Sequence, residues 1–222
     1  MPIEFTKTAA PSPDLLFELS GKNLSLLMTL IMSAALLIML VRCGKKGSPI
    51  YLSTLSVMTA LSVVGRMVFA PISGFKPCTA VIIITGITLG ADAGFVCGAL
   101  TAVVSNVYFG QGTWTLFQMF SWGVIGFLAG VLSKPLSKNA PLRYFFAVFS
   151  GFFYSLLMDL FSAVWQDGGF SLVRFAALSA GSLPFAAIYA VSNVIFLALM
   201  FGRLSRAIER VCRKYGLTSL QK

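Results

Sequence analysis

No histidine occurs among the 222 residues, and charged residues make up only 11%. The first absence removes the commonest metal ligand and the commonest general base. The second leaves too few charges to coat a globule in water, because a soluble domain carries about a quarter charged residues. Cysteine is also scarce: Cys43, Cys78, Cys97 and Cys212 are scattered, with no CxxC and no paired spacing. Zinc, haem and thioredoxin-like readings have no support in that pattern. Lone cysteines in apolar stretches are small core residues more often than nucleophiles. No Walker motif is present, so no phosphate-cradling P-loop is offered. Disorder, a secreted disulfide scaffold and a soluble enzyme are excluded by these counts, and neither a metal nor another cofactor is implied.

What is present is apolar. Hydrophobic residues make up 57% of the chain, and a bilayer span needs roughly 20 mostly apolar residues. Residues 1–23 are polar, with Pro2, Pro11 and Pro13, and read as an external or interfacial tail. The first apolar run, 24–41, is closed by Arg42, Lys45 and Lys46. A signal peptide carries its positive charge ahead of the apolar stretch, so this run reads as a retained span. Further runs occupy 50–70, 78–89, 94–109, 114–132, 144–164 and about 172–201, the last tilted or broken near Gly181–Pro184. The organisation expected is a basic loop at 42–49, a membrane domain at 50–202 and a basic tail at 203–222, in an all-α membrane protein.

The placement of the 17 Lys and Arg residues against 7 Asp and Glu orients the chain. Basic clusters at 42–46, 134–143 and 203–214 fall on one side of seven alternating spans, and cytoplasmic loops carry the excess of Lys and Arg. This predicts a plasma-membrane protein with the N-terminus outside and the C-terminus inside. The basic tail then reads as orientation and attraction to anionic lipid, with no nucleic-acid partner.

Gly86, Gly90, Gly94 and Gly98 recur at four-residue spacing, and Gly126 and Gly130 repeat it. Such spacing lets helix backbones approach closely in lipid. Ser56 and Ala60 form a second small-residue stripe, read either as internal packing or as a docking face. Charges within spans need a partner, a cavity or a function. Arg66 and Asp159 either pair with each other or face a ligand cavity, and Asn193 adds a polar group at a similar level. Asn106, Tyr108, Phe109, Gly110, Gln111, Trp114, Gln118 and Trp122 crowd one joint between two runs. Aromatic faces with a few placed amides suit a planar, polar-edged small molecule. A carboxylate pair of Asp92 and Asp159 would suggest an intramembrane hydrolase, but the derived topology puts them a bilayer apart. A small membrane scaffold without a ligand is a third reading.

Three stretches, GRMVFAPISGFKPCTAVIIITG, LGADAGFVCGAL and SNVYFGQGTWTLFQMFSWGVIGFLAG, lie between Gly65 and Gly130. In them the chain resembles the substrate-binding S-components of energy-coupling factor vitamin transporters, most of all the cobalamin-associated branch. The features are an Arg ending the first core helix (Arg66), a KP entering the second (Lys76), and the SN…FGQG-W-T…Q joint. The resemblance covers about residues 50–202. It implies a six-helix bundle, to which the 24–41 helix is additional. It also implies a non-enzymatic subunit that binds a vitamin on the outer face and docks on a transmembrane coupling protein carrying two ATPases. A corrinoid is the first ligand implied, with riboflavin or a queuosine-like precursor behind it. The family's AxxxA docking motif is matched here by Ser56-xxx-Ala60, which departs from it by one serine.

Overall fold

The structure is a computed structural model that describes residues 13–165 and 170–216. Among them every regular element is a helix: α1 (Pro13–Lys46), α2 (Pro49–Val68), α3 (Cys78–Leu89), α4 (Ala91–Phe109), α5 (Trp114–Val131), α6 (Ser133–Lys138), α7 (Ala140–Trp165) and α8 (Leu172–Lys214). Helices satisfy their own backbone hydrogen bonds, which hydrocarbon cannot do for them. Six are long and apolar enough to cross a membrane, and α3, at 12 residues, is shorter. The seven expected spans are therefore six full-length helices and one short one. Every residue of α3 is buried, so a rod of about 18 Å runs inside the bundle from the 69–77 loop to Gly90.

Two helices outrun their apolar stretches. α1 begins at Pro13, inside the segment expected to be a tail, and α8 continues past Pro184 to Lys214. Proline removes one backbone donor, but packing on α7 carries α8 across it. Beyond that proline, a Cβ on Gly151 of α7 would stand 2.6 Å from the Ala190 nitrogen of α8. Residues 1–12 of the expected tail, 166–169 between the last two apolar runs and 217–222 of the basic tail lie outside the described residues.

The glycine spacing becomes a seam between α3, α4 and α5. A Cβ on Gly94 would strike the Gly126 carbonyl, and one on Gly126 would strike the Gly94 carbonyl. Around this seam Ile82, Ile83, Ile84, Ile125 and Leu197 are fully buried. α1 packs on α4, α5 and α7 through Met32 and Leu36. It is tied there by Arg42, whose Nε lies 3.4 Å from Asp92 Oδ1.

That ion pair belongs to the basic end of the bundle. Arg42, Gly90, Asp92, Lys134, Ser137, Ser205 and Glu209 border one crevice. Arg143 donates from Nη1 to Leu136 O at 2.8 Å and lies 3.8 Å over the Phe201 ring. The three basic clusters thus share one end. The 69–77 and 110–113 loops close the other end, where the candidate residues lie.

Candidate functional site

Arg66 sits in the last turn of α2 and is 7% exposed. Its Nη1 donates to Ser105 Oγ and, at 2.8 Å, to Asn106 Oδ1, both on α4. Asn106, 1% exposed, then donates from Nδ2 to Thr115 Oγ1 (2.9 Å) and Gln118 Oε1 (2.8 Å) on α5. Gln118 Nε2 donates to the Tyr154 hydroxyl on α7 at 2.9 Å. Tyr154 stacks on Trp122 (centroids 5.2 Å, planes 12° apart) and meets Tyr189 of α8 edge-on at 5.6 Å. One polar and aromatic chain therefore ties five helices together at a single level. A buried amide with a partner for each group holds its neighbours in one arrangement.

This chain forms part of the wall of a cavity of about 110 Å³ bordered by Arg66, Lys76, Thr79, Gln118, Trp122, Tyr154, Tyr189 and Asn193, with Gly74, Cys78, Ser150 and Gly151 completing it. Asn193 donates to Ala147 O at 3.2 Å from that wall. The 69–77 loop closes the cavity. Lys76 N–H donates to Ser192 Oγ (2.9 Å) while Ser192 Oγ lies 3.0 Å from Lys76 O, and Phe75 packs on Phe69 and Phe196. Burial pulls the Lys76 ammonium below the usual lysine range, and the nearby Arg66 charge adds to the shift. Both cations face Phe109, with Arg66 Cζ 4.6 Å and Lys76 Nζ 5.0 Å from its centroid. Trp122 lies 4.9 Å from Arg66 Cζ.

The residues singled out from the sequence divide. Arg66, Lys76, Gln118, Trp122 and Asn193 border the cavity, Asn106 positions two of them, and Phe109 lies under the cations. Tyr108 (64% exposed) and Trp114 (43% exposed) stand outside it on the rim. Gln111 caps its own turn, donating to Val103 O at 2.8 Å and accepting from Thr115 at 3.0 Å. Gly110 takes φ +99°, a conformation that other residues resist, and so turns α4 into the joint. Asp159 does not pair with Arg66. Its Oδ2 accepts from Ser182 Oγ at 2.5 Å, and Ser155 donates to Ser182 at 3.2 Å. Asp92, paired with Arg42 at the basic end, is nowhere near Asp159, so no carboxylate dyad forms. Ser56 and Ala60 lie exposed on α2.

Sequence reasoning passed over Thr79, Ser150, Tyr154 and Tyr189. The available signal was a tyrosine well inside an apolar run on each of α7 and α8, since a buried tyrosine hydroxyl requires a partner.

No curated protein and no solved structure matches the chain. A family model described as "ECF-type riboflavin transporter, S component" matches residues 48–199. The match starts at Ser48, the N-cap of α2, leaves α1 outside, and includes every cavity residue. With more than half of its residues in that match, the chain belongs to this family of ECF S-components, membrane subunits that transport and do not catalyse.

Proposed function

We propose that the cavity between Arg66, Trp122 and Tyr189 is the vitamin site, that it opens to the outside, and that the loaded subunit delivers its ligand after docking on an energy-coupling module with two ATPases. The observation that carries this reading is the cavity itself: a flat aromatic wall, Trp122 on Tyr154, flanked by Gln118 and Asn193 and closed by a loop. Flat faces with few, placed polar groups suit a planar ring with polar edges. At about 110 Å³ the cavity is smaller than the roughly 300–1,000 Å³ of occupied ligand sites, so the 69–77 loop has to move for entry. Of the two candidate rings the smaller, a flavin, requires the lesser expansion, in agreement with the riboflavin description of the family model. A corrinoid is the second reading. The exposed rim of Tyr108 and Trp114 supports it, because such a surface suits a ligand too large to be enclosed.

The ligand that co-purifies with the full chain decides between them by absorbance and mass. A flavin supports the first reading and a corrinoid the second, while a chain that neither retains nor rebinds a vitamin contradicts both.

Orientation follows from the basic end, which we place in the cytoplasm. All four native cysteines are buried and Lys138 is exposed, so Lys138→Cys introduces a single accessible thiol. It is expected to resist an impermeant maleimide in intact cells and to react after permeabilisation. Labelling in intact cells would reverse the topology.

A further inference from the structure

We propose that the ligand of this cavity carries an anionic group, a carboxylate or a phosphate, which it presents to Arg66 and Lys76; the inference rests on reading the cavity as the substrate site. Among the described residues two cations border the cavity and no carboxylate does. The nearest candidate, Asp159, is held by Ser182 and is not part of the wall.

Arg66 is only partly satisfied by the protein. Its hydrogen bonds all leave from Nη1 and go to neutral acceptors, Ser105 Oγ and Asn106 Oδ1. Nε is buried with no acceptor. The Nε–Nη2 edge, the side of a guanidinium that holds a carboxylate or phosphate oxygen pair, is therefore uncommitted among the described residues. Arg66 Cζ also lies over both Phe109 and Trp122, so the aromatic contacts supply no acceptor for the uncommitted edge, which a ligand can meet.

Lys76 has the same deficit. Its ammonium lies over Phe109, and no carboxylate among the described residues is within ion-pair distance of it. An aromatic face offsets part of the cost of a dry cation, but two like charges sharing one ring repel each other. Uncompensated charge at low dielectric is costly. A neutral ligand's carbonyl could accept from Arg66, yet it would leave the excess positive charge in place. One anionic group relieves both cations at once.

The test uses the purified full chain and pairs of probes that differ by one charge: flavin mononucleotide with riboflavin, nicotinate with nicotinamide, and pantothenate with pantothenol. In at least one pair the acid is expected to bind about tenfold or more tightly than its neutral counterpart. Arg66→Gln and Lys76→Gln are each expected to bring that preference to within about twofold, whereas Trp122→Ala weakens both members of the pair alike. Lys76 lies on a loop, so its variant keeps the test valid if Arg66→Gln fails to fold. A neutral member binding as tightly as its acid in every pair that binds, or a preference that survives both substitutions, overturns the inference while leaving the cavity as the site. If no probe of either kind binds, the reading of the cavity as a small-vitamin site is overturned, and the inference with it.

Discussion

Gly126→Leu is expected to abolish the folded protein. Gly126 lies where α5 crosses α4, and even a single methyl there would enter the Gly94 carbonyl and press on Ile82. Overpacking a core usually costs about 1–3 kcal/mol through side-chain adjustment. Here the obstacle is backbone on a neighbouring helix, so relief requires α4 and α5 to separate. Separation would pull apart the hydrogen bonds from Asn106 to Thr115 and Gln118 that cross the same interface. A loss above about 3 kcal/mol follows, seen as aggregation or as a lost monodisperse peak in size-exclusion chromatography. Gly202→Ala is the control. Nothing lies within 4 Å of a Cβ at that position, so the substitution should be neutral or stabilise α8 by up to about 1 kcal/mol through helix propensity. Equal behaviour of the two variants would mean that the seam is not a close backbone contact.

Ala60→Trp is expected to abolish uptake while leaving ligand binding intact. Ala60 and Ser56 are exposed on α2, on the same outward face as Val57 and Val64. Arg66, the α2 residue of the cavity wall, is buried on the other side of the helix. The additional helix α1 packs on α4, α5 and α7, so it does not take up this stripe. Small residues permit close helix approach in lipid, and an indole there would hold a partner helix away. Transport in cells carrying the coupling module should fall more than about tenfold, with the affinity of the purified subunit changed less than about twofold. Parallel loss of both would make the stripe ordinary internal packing.

Much of this architecture is legible in the residues because the bilayer constrains them so strongly. The 78–89 run coincides with α3 (Cys78–Leu89), since Pro77 and Gly90 bound an unbroken apolar stretch. The glycine spacing identifies the seam because only the absence of a side chain permits that approach. Helix ends are less legible. α1 and α8 extend into polar sequence at Pro13 and Lys214, where backbone hydrogen bonding continues after hydropathy has stopped. Pairing is the least legible. Arg66 and Asp159 are complementary charges within apolar runs, yet each bonds to neutral hydroxyls or amides on whichever helix lies beside it. The 106–118 joint divides for a similar reason. Helical periodicity turns Asn106 and Gln118 inward while Tyr108 and Trp114 face out, although all four are close in sequence. The far wall, Ser150, Tyr154 and Tyr189, comes from spans whose local composition resembles any apolar helix.

The proposed site rests on Trp122, which is buried against both Arg66 and Tyr154, whereas Trp114 stands on the rim. Calorimetric titration of the co-purifying vitamin into monodisperse Trp122→Ala and Trp114→Ala proteins tests that placement most directly. A cavity site predicts a loss of about 2 kcal/mol, or thirtyfold, for Trp122→Ala and a change below about twofold for Trp114→Ala. Unchanged affinity in Trp122→Ala, with the loss in Trp114→Ala instead, would contradict the account and move the ligand to the outer rim.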